Sequence, residues 1–329
     1  MLSSAIHFVF LRVQQAGCAL SARLRTFAGE SLPRRAPGPV VAAVLGFIAC
    51  VFVAAAANAP KPSEQPAFFP FCIDWHDAKK RDFIQQARLL KELGYDGVGH
   101  IWLDKVAERI QSLDAEKLRL YQITISVDIA PGKEAYDPRL KEVLGLVKGR
   151  GVQFALLMNG LKPSDPAGDE RAVQVIREIV ALGEGTGSQF LLYPHTDFWL
   201  ERIEDAIRVA QKVNRPEVGV MFNLCHWLRV SKDRDYATPL KAAMPRLMAV
   251  SINGADEWDS KPGWAKYIQP LGRGSFDVAK LLRTLQELGF KGPIGLQCYG
   301  IEGDAREHLM TSMEAWKKMG GPRRPANPY

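Results

Sequence analysis

Short apolar runs alternate along the chain with segments whose apolar residues recur at helical spacing. Most of the apolar runs are continuous rather than alternating, which is typical of parallel strands that are covered on both faces. The strand-like runs are residues 67–73, 97–102, 121–129, 152–158, 189–193, 218–223, 247–252 and 293–298. The helical segments are residues 82–93, 170–182, 199–213, 275–289 and 305–319, with a weaker one at 239–244. Eight strands with intervening helices over roughly 250 residues predict an α/β protein built as a single (β/α)8 TIM barrel.

The predicted barrel occupies residues 67–319, between two segments of different composition. Residues 60–66 (PKPSEQP) are expected to form a linker, and residues 320–329 (GGPRRPANPY) a disordered tail. A doubly wound open sheet is the alternative architecture for alternating strands and helices. The barrel is favoured because no glycine-rich phosphate-binding loop follows the first strand.

The first 59 residues differ in composition from the rest of the chain. They contain five arginines, no lysine and one acidic residue, and residues 40–57 form an uninterrupted apolar run. A basic leader, an apolar stretch and small residues before Asn58 predict an export signal, and hence a periplasmic or otherwise extracytoplasmic protein. An uncleaved membrane anchor at residues 40–57 stays open, because the run is near the lower limit for spanning a bilayer. A lipid-modified Cys50 is a third interpretation, and membrane contact is expected only through this segment.

The charge of the remaining chain is close to balanced. The whole sequence has 43 basic and 36 acidic side chains, a net charge of +7, and the first 59 residues hold five of the basic and one of the acidic groups. The rest therefore has 38 basic and 35 acidic groups, or +3, so no nucleic acid partner is expected. The same part contains three cysteines, Cys72, Cys225 and Cys298. An odd number in a core of this size predicts buried free thiols.

Four of the six histidines, His76, His100, His195 and His226, lie at the ends of predicted strands. The C-terminal strand ends of a barrel open onto one face, where active sites are built, so these side chains are expected to converge. Four imidazoles could hold one divalent metal, zinc or manganese, and His195 and His226 are also the candidate catalytic bases. The alternative for each is a strand cap or a local hydrogen bond. His308, among charged residues of the last helix, is expected at the surface.

Aromatic and amide side chains gather at the same predicted strand ends. Aromatic rings pack against the C–H faces of a sugar while amides bond its hydroxyl groups, so this composition favours a small-molecule carbohydrate as ligand. Arg273 joins the set because two flanking glycines shape its loop. The candidate substrate-binding residues are Trp75, Trp102, Asn159, Tyr193, Asn223, Asn253, Arg273, Gln297 and Tyr299.

The glycine-punctuated helix–strand junctions resemble those of a known family. The segments KELGYDGV (residues 91–98), GRGSFD (272–277) and LLRTLQELGFKGPIGLQCYG (281–300) are similar to parts of the xylose isomerase-like barrels. These barrels form the sugar phosphate isomerase/epimerase superfamily, which also contains family-2 apurinic endonucleases. The resemblance covers residues 68–318, and it implies proton transfer next to a carbonyl group as the chemistry.

The resemblance also implies a metal site that this sequence does not reproduce. Family members hold a divalent metal with Glu on the fifth strand, Asp on the sixth, His on the seventh and Glu on the eighth. The matching positions here are Tyr193, Asn223, Ser251 or Asn253, and Gln297. Neutral oxygen ligands bind a hard dication weakly, so either the four histidines rebuild the site or the pocket works without metal. The histidines that the family often places after the fifth and sixth strands are matched by His195 and His226.

Two hypotheses for function follow from these features. The first is a sugar isomerase/epimerase-like enzyme that acts on a carbohydrate or keto-sugar by proton transfer, including elimination, with or without a metal. The second is a non-catalytic carbohydrate-binding barrel that has lost the family carboxylates. The near-balanced charge and the export signal argue against an endonuclease.

Overall fold

Eight parallel strands form one sheet in the computed structural model, which describes residues 66–257 and 263–320. They are β1 (Phe68–Phe71), β2 (Gly97–Ile101), β3 (Arg119–Asp128), β4 (Gln153–Asn159), β5 (Gln189–Leu192), β6 (Val218–Asn223), β7 (Leu247–Ile252) and β8 (Ile294–Gln297). The hydrogen-bonded order is β1-β8-β7-β6-β5-β4-β3-β2. Its two ends also lie side by side, because the Asp96 N–H donates to the Phe68 carbonyl at 3.0 Å. This order confirms the predicted TIM barrel and excludes the doubly wound sheet.

Ten α-helices accompany the strands in the described residues. They are α1 (Phe83–Leu93), α2 (Val106–Ala115), α3 (Leu140–Leu146), α4 (Asp169–Leu182), α5 (Ile203–Val213), α6 (Leu224–Val230), α7 (Ala237–Ala243), α8 (Trp264–Tyr267), α9 (Val278–Glu287) and α10 (Ala305–Lys318). The chain encodes the bounds of α1 locally. Asp82 accepts from the Gln85 N–H in a capping box, and Gly94 ends the helix at φ +87°.

Two helices differ from the sequence prediction. The segment predicted to be helical from residue 199 becomes helix only at Ile203, because Trp199 is buried and its indole N–H donates to the Asp165 carbonyl at 2.7 Å. After β6, where a helix was predicted only at 239–244, α6 begins directly at Leu224. His226 therefore lies on a helix rather than in a loop.

The barrel interior is packed with apolar side chains. Its apolar contents form two clusters, one of Phe69, Phe71 and Cys72 and one of Ala155, Leu157, Leu191, Tyr193, Met221 and Ala249. The Phe69 and Tyr121 rings stack with their centroids 4.9 Å apart. Cys72, Cys225 and Cys298 are all buried and unpaired, as predicted. The filled interior provides a rigid floor for the C-terminal mouth.

Several predicted segments fall outside the described residues. The signal or anchor at 1–59 with its apolar run at 40–57, the linker at 60–66 except its last residue, and the tail at 320–329 except its first residue are among them. Within residues 66–257 and 263–320, no helix combines the length and apolar character needed to cross a bilayer.

His308 is buried rather than exposed, which corrects the surface position expected from its charged neighbours. The buried residues of α10 recur at helical spacing, at Ala305, His308, Leu309, Ser312, Met313 and Trp316. His308 therefore belongs to the stripe that faces the barrel. Its Nδ1 has no partner in the described structure, and burial lowers the pKa of the imidazole to about 4, against the opposing effect of Asp77 and Asp304.

This burial predicts a loss of stability in mild acid. The unfolded chain protonates His308 near pH 6.5, while the folded chain resists protonation until pH falls to about 4. Stability is therefore complete above pH 6.5 and falls as pH drops towards 4, by up to about 3 kcal/mol from this group. Urea denaturation at pH 7 and pH 4.5 should show a smaller pH effect in His308→Gln than in the unmodified protein. Equal pH effects in the two proteins would contradict this.

Candidate functional site

A cavity of about 270 Å³ opens at the C-terminal ends of the strands. We call it the central cavity. Its lining residues are Phe71, Cys72, Trp75, Ile101, Trp102, Thr124, Leu157, Tyr193, His195, Phe198, His226, Trp264, Ile268, Gln297 and Tyr299. The walls are mainly aromatic and the polar groups are few, as in small-molecule sites. Among residues 66–257 and 263–320, none of those that line the cavity is Lys, Arg, Asp or Glu.

Two imidazoles pack together in this cavity, and each bonds a backbone atom of Thr196. The ring centroids of His195 and His226 are 4.0 Å apart. His195 Nδ1 donates to the Thr196 carbonyl at 2.9 Å, so the lone pair of His195 lies on Nε2. The Thr196 N–H donates to His226 Nδ1 at 3.2 Å, so the proton of His226 lies on Nε2. One residue thus fixes opposite tautomers, and neither Nε2 atom has a hydrogen-bond partner in the described structure.

Both imidazoles are neutral at pH 7 because His226 is buried and His195 is partly buried. Burial lowers the pKa of His195, although the Thr196 carbonyl and Asp197 oppose it. Burial lowers the pKa of His226 well below its usual range, and the adjacent His195 and Arg229 act in the same direction. A neutral pair with opposite tautomers offers one proton acceptor, His195 Nε2, beside one proton donor, His226 Nε2–H.

A buried phenol supplies a second hydrogen-bond donor to the central cavity. Tyr193 Oη accepts from Asn223 Nδ2 and, at 3.4 Å, from Gln297 Nε2. Each amide is held in this orientation by a second hydrogen bond to its oxygen. The Tyr299 N–H donates to Gln297 Oε1, and the Cys225 Sγ–H donates to Asn223 Oδ1. With both lone pairs occupied, Tyr193 has its own O–H left to donate. Burial raises the pKa of this phenol, so it keeps its proton.

This arrangement does not fit the metal that the family resemblance implies. At three of the four expected ligand positions, Asn223 and Gln297 both bond Tyr193, and the fourth carries a neutral, buried residue, Ser251 or Asn253. No anionic oxygen is available there for a hard dication. Nor do the described residues contain any group of three or more His, Cys, Asp or Glu side chains that could hold a metal ion.

The structure does not bring the four predicted metal-ligand histidines together. His195 and His226 meet, but His76 contacts the Tyr299 ring and does not line the central cavity. His100 lies two residues after Val98 on β2, so the two side chains are on the same face of the strand. Val98 packs in the core between the sheet and the helices, so His100 also points towards the helices.

His100 belongs instead to a buried polar cluster behind the barrel wall. Its Nε2 bonds the Asp104 carbonyl at 2.8 Å, and its Nδ1 accepts from Arg109 Nε at 3.4 Å. Arg109 is fully buried, donates to both Asp74 oxygens and to Gln86, and lies 3.7 Å above the Phe83 ring. This cluster has a structural role, since it holds the loop that carries Trp75.

Five of the nine predicted substrate-binding residues line the central cavity: Trp75, Trp102, Tyr193, Gln297 and Tyr299. Asn223 lies behind them and supports Tyr193. Three others lie elsewhere. Asn253 is buried and donates to the Gly254 and Tyr267 carbonyls, which fixes the loop after β7, while Asn159 and Arg273 are exposed outside the cavity.

Sequence reasoning missed several important contributors. Thr196 acts through its backbone, for which residue type gives no signal. Phe198 and Trp264 line the cavity; Trp264 lies in the long connection from β7 to α9, and long connections at this face of a barrel commonly carry binding residues. The length of this connection could therefore have indicated a binding residue within it.

The comparisons with known proteins agree with this architecture. The family described as "Xylose isomerase-like TIM barrel" matches residues 87–319. No curated protein matches. D-allulose 3-epimerase from Methylomonas sp. in complex with D-allulose is 16% identical, with a TM-score of 0.62 over 78% of this chain and 97% of that chain. The 3-keto-D-glucoside 4-epimerase from E. coli is 14% identical, with a TM-score of 0.60 over 78% and 99% of the two chains. The IolI protein with a bound zinc atom is 18% identical, with a TM-score of 0.58 over 77% and 97%.

Proposed function

The chain belongs to the xylose isomerase-like TIM barrel family, and from this membership we propose that it is an enzyme that transfers a proton on a neutral carbohydrate or keto-sugar. The reaction class is isomerisation, epimerisation or a related elimination. The observation that supports this most directly is the imidazole pair, in which Thr196 fixes a proton acceptor on His195 and a proton donor on His226.

Different residues of the central cavity would accept the proton and stabilise the charge in such a transfer. His195 Nε2 takes a proton from the carbon next to the carbonyl, and the electron pair of that C–H bond moves onto the carbonyl oxygen. The Tyr193 O–H and the His226 Nε2–H donate hydrogen bonds to the oxygen as its negative charge develops. Return of the proton to the carbonyl carbon, while the hydroxyl proton of the first carbon passes to the former carbonyl oxygen, gives the aldose–ketose isomer. Delivery of a proton to the opposite face of the first carbon gives the epimer. In elimination, a hydroxyl group on the next carbon leaves as water and takes the proton held by His195. No step requires a charged side chain.

The cavity wall also limits the substrate class. Trp75, Trp102 and Tyr299 present aromatic surface to the cavity, which suits the C–H faces of a sugar ring. Phosphorylated sugars are disfavoured because no Lys or Arg lines the cavity in the part of the chain that the structure describes. The substrates of the similar solved structures, D-allulose among them, support a neutral sugar as the first compound to test.

The experiment is proton exchange followed by NMR. The full-length protein is incubated in D2O with neutral ketoses, aldoses and 3-keto-glycosides, with D-allulose first. We expect deuterium to replace hydrogen next to the carbonyl of at least one compound. Sugar binding with no exchange for any compound would contradict the enzyme and favour the binding barrel. That alternative is supported by the replacement of the family carboxylates with Tyr193, Asn223 and Gln297, which satisfy one another.

Removing the Tyr193 hydroxyl should slow this exchange. In Tyr193→Phe the developing negative charge loses one donor, and we expect kcat to fall by about 10²-fold, as for other oxyanion donors. The matched control is Tyr95→Phe, because Tyr95 is equally buried but its hydroxyl bonds the Leu309 carbonyl outside the cavity. Measured exchange rates should fall only in the Tyr193 variant. Equal rates in the two variants would remove Tyr193 from the mechanism.

A further inference from the structure

A second cavity, of about 510 Å³, adjoins the central cavity at the same end of the barrel. We call it the outer cavity. It is formed by the ends of β2 and β3 and by the loop that follows β3, residues 129–139. Trp102 contributes to the walls of both cavities. The two spaces therefore share Trp102 as a lining residue.

The backbone at this shared wall is unusual. Trp102 has φ +68°, a left-handed conformation that a bulky side chain rarely adopts. It is held there by its N–H, which donates to the Thr124 carbonyl at 2.9 Å, and by buried Leu103 next to it. Its side chain is 37% exposed even so. Strained residues held by their surroundings are typical of ligand-binding positions.

The outer cavity also has polar groups that are free to bond a ligand. Asp128 Oδ1 accepts from the Ala130 N–H at 2.8 Å, while its second oxygen has no partner in the described structure. Glu134 is exposed, and its carboxylate has no partner among the described residues. The unpaired carboxylate oxygens of Asp128 and Glu134 can accept hydrogen bonds from the hydroxyl groups of a sugar. The rings of Trp102 and Tyr136 beside them can pack against its C–H faces.

The net negative charge of the outer cavity limits the class of ligand that can bind there. Asp104 and Asp137 both bond Arg139. The described lining therefore contains one cationic side chain, Arg139, and four carboxylates, those of Asp104, Asp128, Glu134 and Asp137. An anionic ligand such as a uronic acid or a phosphate would be repelled. A neutral sugar is not.

We propose that the outer cavity binds a second, neutral sugar unit, so that the substrate is a disaccharide or another sugar glycoside rather than a free monosaccharide. The proposal rests on the proposed function, because it requires the reacting sugar to occupy the central cavity. Trp102 separates the two units, and Asp128 and Glu134 accept hydrogen bonds from hydroxyl groups of the outer one.

The test compares sugars by isothermal titration calorimetry with the full-length protein. Cellobiose, maltose, lactose and sucrose are titrated beside their constituent monosaccharides. We expect at least one disaccharide to bind tenfold or more tightly than its monosaccharides. In Asp128→Asn that ratio should fall towards one. The control is Asp165→Asn, because Asp165 caps Ala167 in the same way but lies outside both cavities, and it should keep the ratio.

The outcomes separate this inference from the proposed function. If no disaccharide binds more tightly than its monosaccharides, while a monosaccharide still exchanges its proton, the second sugar site is overturned and the enzyme stands. A tenfold disaccharide preference without proton exchange supports the second site and overturns the enzyme. Loss of the preference in both Asp128→Asn and Asp165→Asn would overturn the assigned role of Asp128. Failure of every sugar to bind would overturn both proposals.

Discussion

The His195→Ala variant is expected to exchange sugar protons about 10²–10⁴-fold more slowly than the unmodified protein, the range for loss of a general base. His195 is the one imidazole of the pair whose Nε2 carries a free lone pair, and none of the described residues that line the central cavity has a carboxylate to replace it. Sugar affinity should change much less than kcat, because the base acts mainly in the transition state.

The pH profile gives an independent check on the same group. Because burial lowers the pKa of His195, kcat/KM should stay constant from pH 8 to below pH 6.5 and fall only at lower pH. The control is His308→Gln, which removes another buried histidine away from the cavity and should keep full activity at pH 7. Equal activity of His195→Ala and His308→Gln would show that His195 is not the base.

Replacing Arg109 by alanine should destabilise the fold by about 3–5 kcal/mol, as for other broken buried ion pairs. Arg109 is fully buried, and its guanidinium donates to both carboxylate oxygens of Asp74, at 3.0 and 3.1 Å. Without it, Asp74 and the Gln86 amide oxygen each lose their charged partner, and the space above the Phe83 ring is left empty. Urea denaturation measures the loss directly as a change in the midpoint.

The control for Arg109 is a surface Arg–Asp pair in which both carboxylate oxygens are also bonded. Arg150 bonds both oxygens of Asp114 at 2.8 Å, but the two side chains are 41% and 50% exposed. Solvent screens this pair, so Arg150→Ala should cost no more than about 1 kcal/mol. Similar losses in the two variants would mean that burial of the Arg109 cluster does not determine its contribution.

The fold was predictable because its signal is repeated. Eight continuous apolar runs, each overlapping an observed strand, outweigh errors at single elements such as the late start of α5 at Ile203. A TIM barrel also fixes which ends of its strands share a face. That rule was sufficient to bring Trp75, Tyr193 and Gln297 to one cavity.

The site was less predictable because side-chain direction depends on single residues. His100 is a strand residue like its neighbours, yet a shift of one position along β2 decides whether it faces the lumen or the helices. The tautomers of His195 and His226 depend on backbone atoms of Thr196, which no residue pattern marks. Asn253 was expected to meet a ligand, but two nearby carbonyls had already satisfied its amide N–H groups.

The backbone of Thr196 gives the imidazole pair a direction. The Thr196 N–H and the Thr196 carbonyl belong to two successive peptide groups, so the ring bonded to the N–H is left with a proton to give on Nε2, and the ring bonded to the carbonyl is left with a lone pair to take one. The two roles cannot be exchanged between turnovers without breaking both hydrogen bonds. Inversion at one carbon needs proton acceptors on opposite faces, whereas a shift between neighbouring carbons on one face needs a single acceptor. This one-way pair therefore favours aldose–ketose isomerisation or elimination over epimerisation, and the carbon that acquires deuterium in the exchange experiment distinguishes them.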